Sequence, residues 1–405
     1  MKRVLVTSIA AAAALYALVV TWRQNERAAG LDFYIYYVNA QLASRADVDN
    51  IYSPETQERI GEEYFARAQT SGSELRKYDA TRRRRLDNVS SPFLYTTLRW
   101  VSRDYDVALR QYHALLLFAF IAGVILICRR VGVSWPSTLF LVAALLLWYR
   151  GFEADLRVGN VNSLQLLIIG AMLWSPPVLA GVLLGLLVAF KPNLILIALL
   201  LAFARPWKRL RLEIAGGAIG VGIAIIAAAI NYRSFGVWLQ WIGAANQFWH
   251  RLQTRAERNV APALPLFQQY GTWVSYVIAA LLVAIVCLGV VRASSRASKG
   301  APEARTTPDD ALIVGLAIVI YLISAPVVWL HYMVLVLPLA IALLRRRSTA
   351  IVSLLALALI AEEPFELLFR TPVYPHDAML ITPALLALFA AAALAAAFPH
   401  RNEAA

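Results

Sequence analysis

The sequence predicts an all-α polytopic membrane protein, and three observations carry that reading. Of its 405 residues, 60% are hydrophobic and only 16% charged, against roughly 45–50% and about 25% in soluble domains. The apolar residues come in runs of about 18–25, the length that crosses a hydrocarbon core of about 30 Å. Lys and Arg concentrate in short breaks between those runs, where positive charge sets orientation. Together these exclude an ordinary soluble enzyme and a disordered chain.

Twelve segments read as spans or parts of spans: 4–22, 107–128, 135–150, 160–175, 177–190, 193–205, 212–230, 272–291, 311–326, 328–344, 349–362 and 377–398. Several are short or Pro-interrupted, and broken helices are tolerated where they line a protein cavity. The expectation is a bundle of about ten to twelve helices. The first run follows Met1-Lys2-Arg3 as in a signal peptide. No small-x-small site ends it before Thr21-Trp22-Arg23, so it reads as a retained span.

If the spans alternate, Lys2-Arg3, Arg129-Arg130, Arg205 to Arg211, Arg292 to Arg305 and Arg345-Arg346-Arg347 share one side. That side is then cytoplasmic, with both termini on it, in the plasma membrane. The whole chain, 1–405, reads as one integral membrane domain. Residues 23–106 form a large first extracytoplasmic loop, 231–271 a second outer loop, and 292–310 a flexible cytoplasmic linker. The first loop has helical patterning at Pro54 to Gln69, where Ile60, Tyr64 and Ala68 repeat behind a Ser53 cap. It also carries Arg82 to Arg85, a basic run suited to solvent or anionic lipid headgroups. The second is aromatic (Trp238, Trp241, Phe248, Trp249, Phe267), as suits a membrane–water boundary.

Lys+Arg 38 against Asp+Glu 25 leaves a net charge of +13. No aromatic-basic platform accompanies it, so nucleic acid is not an expected partner. Cys128 and Cys287 fall in or beside apolar runs and read as small packing residues, not a disulfide framework. There is no HExxH, CxxC, Walker loop or GxSxG, so metalloprotease, ATPase and serine hydrolase readings find no support.

Polar groups near membrane depth are costly and therefore functional candidates. Asp32, in Leu31-Asp32-Phe33-Tyr34-Ile35-Tyr36-Tyr37, reads either as a general base or as a helix N-cap. Asn160 and Asn162, in Gly159-Asn160-Val161-Asn162, either orient sugar hydroxyls and headgroups or cap a helix at a tight turn. Lys191, in Lys191-Pro192-Asn193, is a phosphate partner or a snorkelling lysine. His331, in Trp329-Leu330-His331-Tyr332, binds phosphate, shares a proton, or packs at the interface. Glu153, Asp155 and Arg157 suggest local ion pairs, while Glu362 and Glu363 suggest a solvated loop.

Taken in order, Asp32, Tyr52-Ser53-Pro54, Ser91-Pro92-Phe93-Leu94-Tyr95, Gly159-Asn160-Val161-Asn162, Lys191-Pro192-Asn193 and Trp329-Leu330-His331-Tyr332 with Pro338 form a set. The set resembles glycosyltransferase family 87, which includes polyprenol-phosphate-mannose-dependent α-mannosyltransferases, over about residues 30–345. Ser91-Pro92 stands where Tyr-Pro-Pro is usual, and Asn160 and Asn193 stand where the family has Gln. The resemblance implies a GT-C-like bundle that takes a hexose, such as mannose, from a polyprenyl-monophosphate donor. The sugar passes to a lipid or glycan acceptor at the outer face, with inversion. Asp32 matches the expected base, and Lys191 and His331 match positions that hold the donor phosphate. Asn160, Asn162, Tyr36, Asn193 and Tyr332 are the expected substrate contacts. No cofactor or resident metal is expected, the polyprenyl-phosphate sugar being a substrate; donor, acceptor and membrane lipids are the partners. The residues alone leave a second reading open, a transporter or flippase using the same groups without chemistry. Against it, the ionisable groups gather at one face, not at the midplane where transport sites lie. A ligase moving a whole glycan from a diphosphate lipid would need a larger outer cavity.

Overall fold

A computed structural model describes residues 2–26, 28–43, 45, 47–252, 259–298, 310–362, 366 and 377–397. Side chains at 2–3, 246–252 and 290–298 lie outside that description, so Phe248 and Trp249 are not placed. Among the described residues the chain is helical with no strand. Its long first helix is α1 (Lys2–Asn25). Four short helices follow: α2 (Leu31–Leu42), α3 (Pro54–Gln69), α4 (Glu74–Arg82) and α5 (Pro92–Thr97). The bundle then resumes with α6 (Tyr105–Val131), α7 (Trp135–Trp148), α8 (Arg150–Val158), α9 (Asn162–Trp174) and α10 (Pro177–Phe190). A 3₁₀ turn (Pro192–Leu194) leads into α11 (Ile195–Ala204), α12 (Trp207–Tyr232), α13 (Gly236–Leu252), α14 (Leu264–Tyr270), α15 (Trp273–Ser298) and α16 (Asp310–Ser324). A second 3₁₀ stretch (Leu330–Val336) precedes α17 (Leu337–Leu344), α18 (Arg347–Ala361) and α19 (Asp377–Ala397).

Four helices, α1, α6, α12 and α19, are long and apolar enough to cross a bilayer alone. The pair α8 and α9 makes a fifth, broken span, bent by 117°, and seven further apolar helices have 10–17 residues. Each of the twelve apolar segments read from the sequence falls on one of these elements. One boundary differs: α15 continues to Ser298, so the segment expected to be a linker from 292 starts as helix, and 299–309 lies outside the described residues.

The helix starts follow local chemistry. Ser53 and Ser91 each precede a proline and accept a hydrogen bond from a backbone N–H three residues on, at Thr56 and Leu94. Serine supplies the acceptor, and proline at the first helical position lacks a donor that would go unpaired anyway. On α3, Ile60, Tyr64 and Ala68 are all buried, as their spacing predicts.

Segment 26–104 is pinned to the bundle at several points. The Asp79 carboxylate, on α4, accepts from the Gly30 N–H (3.1 Å) and the Tyr105 hydroxyl (2.5 Å). Burial pushes its pKa up, and those two hydrogen bonds oppose the rise. The amides of Asn39 and Asn88 donate to each other at 2.6 and 2.9 Å. Phe33 stacks on Tyr112 of α6 with ring centroids 4.5 Å apart.

Within the bundle, α10 and α12 form the most extensive helix pairing. Small residues make it possible, because only they let two backbones approach closely. A Cβ built on Gly181 would collide with the Glu213 carbonyl oxygen, and one on Gly216 with that of Val178; Gly185 and Gly220 are equally crowded. Gly222, on the same helix α12, has open space around it. Gly216→Ala should therefore cost roughly 1–3 kcal/mol, the usual range for overpacking, while Gly222→Ala costs almost nothing. Thermal unfolding of the two purified variants side by side checks this; equal midpoints would contradict it.

The α11–α12 turn is held to the start of α16 by charge. Arg205 and Arg209 both pair with Glu213 and Asp310, at 2.9–3.0 Å for three of the four contacts, and Arg205 and Glu213 are nearly fully buried. This cluster sits at the opposite end of α16 from Tyr321, which lines the cavity described next.

Candidate active site

At the end of the bundle where α1, α7, α10 and α16 terminate, a cavity of about 1530 Å³ opens beneath segment 26–104. Its most connected residue is Asn160, in the break between α8 and α9. The break begins at Gly159, whose φ of +65° favours glycine. The first amides of α9 are then capped by a residue from the preceding helix: Asp155 accepts from the Ser163 N–H (3.0 Å) and hydroxyl (2.6 Å) and from the Asn162 side chain (2.9 Å). Among the described residues Asp155 makes no local ion pair, contrary to expectation, whereas Glu153 does pair with Arg150 (2.8 Å) and Arg157 (3.8 Å). The Asn160 Oδ1 accepts from the Val161 N–H at 2.8 Å, and its amide reaches further partners as well.

Those partners join three separate parts of the chain. Asn160 Nδ2 donates to Asp32 Oδ2 at 2.6 Å. Its Oδ1 accepts from Lys191 Nζ at 3.2 Å and from Asn162 Nδ2 at 3.2 Å. Asn162 Nδ2 also approaches the His331 carbonyl at 3.1 Å. Asp32 does not cap α2, whose N-cap is Gly30 with no side-chain cap bond. Its Oδ1 accepts instead from Arg83 Nη2 at 2.7 Å.

Lys191 stands where Pro192 ends α10, as the sequence suggests. Its ammonium does not snorkel away; it rests 4.4 Å from the centroid of the Tyr332 ring, a cation–π contact. His331 packs edge-on against Tyr332 at 4.8 Å, is 7% exposed, and its Nε2 has no hydrogen-bond partner among the described residues. The Asn193 side chain, beside that of Tyr321, lines the same wall. Buried polar atoms are normally satisfied, so unpaired atoms on cavity-lining residues mark where a ligand can bond. Asp32, Tyr36, Asn160, Lys191, Asn193, His331 and Tyr332 all line the cavity. Asn162 is the exception, fully buried behind its wall.

Nothing in the sequence singles out Arg83 from its neighbours. Arg82 lies over the Tyr78 ring (5.5 Å), and Arg84 pairs with Glu62 (2.6 Å) and lies over Phe65 (4.7 Å). Arg83 turns inward to Asp32. Only the turn after α4 decides this, and a run of four like charges carries no signal of it.

A second part of the cavity wall is acidic, with Glu153, Glu362, Glu366 and Asp377 around Arg150. Glu362, expected to be solvated, is only 4% exposed; Glu363 lies outside the described residues.

Among the described residues, no group of three or more His, Cys, Asp or Glu side chains is placed to hold a metal ion. The family model for glycosyltransferase family 87 matches residues 90–325, more than half of the chain. The chain belongs to glycosyltransferase family 87. The matched stretch of this glycosyltransferase carries Asn160, Asn162, Lys191 and Asn193; Asp32, His331 and Tyr332 fall outside it and enter the site through the fold. No curated protein and no solved structure matches the glycosyltransferase. Family membership favours sugar transfer over transport without chemistry.

Proposed function

We propose that this glycosyltransferase moves a hexose, mannose by the family resemblance, from a polyprenyl-monophosphate donor to a hydroxyl of a lipid or glycan acceptor. The observation that carries the reading is the bridge through Asn160: one amide holds a carboxylate, Asp32, and an ammonium, Lys191, on the wall of one cavity. An inverting transfer needs these two charges. The acceptor hydroxyl gives its proton to Asp32 and its oxygen attacks the anomeric carbon. The bond from that carbon to the phosphate oxygen breaks on the opposite face, and the leaving phosphate gains negative charge. Lys191 meets that charge, and His331 Nε2 offers a further hydrogen bond. Preorganised charge of this kind is commonly the largest catalytic term.

The cavity is larger than the usual range of about 300–1,000 Å³ for a single ligand pocket, which suits a donor headgroup and an acceptor bound together. Tyr36, Asn193 and Tyr332 would contact the sugar, while Asn162 acts from behind by orienting Asn160. The carboxylates near Arg150 suit a hydroxyl-rich acceptor head. The positive-inside pattern supports a plasma-membrane protein with cytoplasmic termini and an outward-facing site. The reaction as written needs no cofactor.

The test is transfer of radiolabelled mannose from polyprenyl-phosphate mannose to endogenous lipids in membranes carrying the protein. A new labelled product supports the donor class. A well-folded protein that transfers from no polyprenyl-phosphate hexose, yet accepts a nucleotide sugar, would refute it.

A further inference from the structure

We propose that Arg83 is the residue that positions Asp32, so that segment 26–104 completes the catalytic site. The inference rests on the reading of Asp32 as the base. The Asp32 carboxylate is held at both oxygens by donors from distant parts of the chain, Arg83 at Oδ1 (2.7 Å) and Asn160 at Oδ2 (2.6 Å). Two donors on two oxygens fix the plane of the group, and with it the lone pairs left to accept a proton from a ligand. One donor would leave the carboxylate free to rotate about its Cβ–Cγ bond. Arg83 is itself anchored, because its Nε donates to the Leu31 carbonyl at 3.1 Å. The planar guanidinium thus grips the backbone before Asp32 and the side chain of Asp32 together, which a lysine cannot do.

The path that delivers Arg83 is equally defined. It follows directly on α4, which Asp79 ties to Gly30 and to Tyr105 of α6. The next residue, Arg84, places its carbonyl oxygen in the space that a Cβ on Gly61 would fill, so α3 lies hard against this turn. The other contacts of Arg82 and Arg84 lie within segment 26–104 itself.

A positioning role and direct phosphate binding predict different kinetics. Positioning affects turnover; phosphate binding affects the donor. Arg83→Ala should lower kcat about 100-fold, the usual cost of a misplacement of about 1 Å, with donor KM within about twofold of wild type. Arg83→Lys, which restores the charge but not the two-point grip, should recover no more than about tenfold of that loss. In the Asp32→Asn background, Arg83→Ala should add less than about threefold, because groups acting as a unit are not additive. The measurement is steady-state transfer from polyprenyl-phosphate mannose for wild type and the four variants, each checked by its thermal midpoint. A raised donor KM with unchanged kcat, full additivity, or an Arg83→Ala enzyme of normal turnover beside an inactive Asp32→Asn would overturn this inference alone. Wild-type turnover in Asp32→Asn would overturn the base assignment and this inference with it.

Discussion

Asp32→Asn should lower sugar transfer by about a thousandfold or more while the protein still folds. A positioned general base contributes roughly 10²–10⁴-fold, and the upper part of that range applies here because, among the described residues, no second carboxylate meets the Asn160 amide within the cavity; Asp155 lies fully buried behind it. The substitution keeps the shape of the side chain, and its remaining oxygen can still accept from Arg83. Its new NH₂ then faces the Asn160 NH₂, which donates to that position in the native protein. Two donors cannot share the bond. Turning Asn160 over relieves the clash but withdraws its oxygen from Lys191. The damage thus reaches the phosphate side of the site as well as the base. Radiolabel transfer together with a thermal midpoint within a few degrees of wild type checks the prediction. Near-normal transfer would remove Asp32 from the base role.

Lys191→Met should cost about 10²–10³-fold in kcat, the range measured when one preorganised donor to developing negative charge is removed. Methionine preserves length and apolar stem, so packing beside Tyr332 survives. Stability should hold or rise, because an ammonium withdrawn from bulk water, with one hydrogen bond at 3.2 Å and one ring face, carries a desolvation cost that methionine does not. Lower activity with an equal or higher thermal midpoint is therefore the diagnostic combination. Lys191→Arg should not restore full turnover, since the guanidinium is wider and cannot occupy the same point between Asn160 and Tyr332. Loss of activity together with collapse of the fold would count against the assignment.

Much of the bundle is legible in the sequence, because long apolar runs have few alternatives. Asp32, Asn160, Lys191 and His331 are legible as residues whose polarity is costly where they stand, and the structure brings all four to one cavity. What the sequence hides is direction. Asp155 lies between Glu153 and Arg157, in a pattern that suggests ion pairs, yet helix rotation turns it inward to cap α9. Asn160 and Asn162 look like equivalent amides two residues apart, but one faces the cavity and the other is buried behind it. Arg83 is indistinguishable by composition from its three neighbours. Glu362 is buried and shares a cavity wall with Arg150, more than 200 residues earlier in the chain. Each of these is a long-range or rotational fact, and periodicity reports neither.

The capped bend between α8 and α9 also bears on how the protein is made. Asp155 lies only seven or eight residues from the groups it holds, so closing that loop costs little entropy. It can form as soon as this stretch leaves the ribosome, before residue 191 has emerged. Asn160 is then already presented when Lys191 arrives 31 residues later, and the His331 carbonyl docks on Asn162 from 169 residues away. The site would assemble in translation order around a local knot. Errors at Asp155 should accordingly appear as poor membrane insertion and rapid turnover of the nascent chain, ahead of any defect in a finished enzyme.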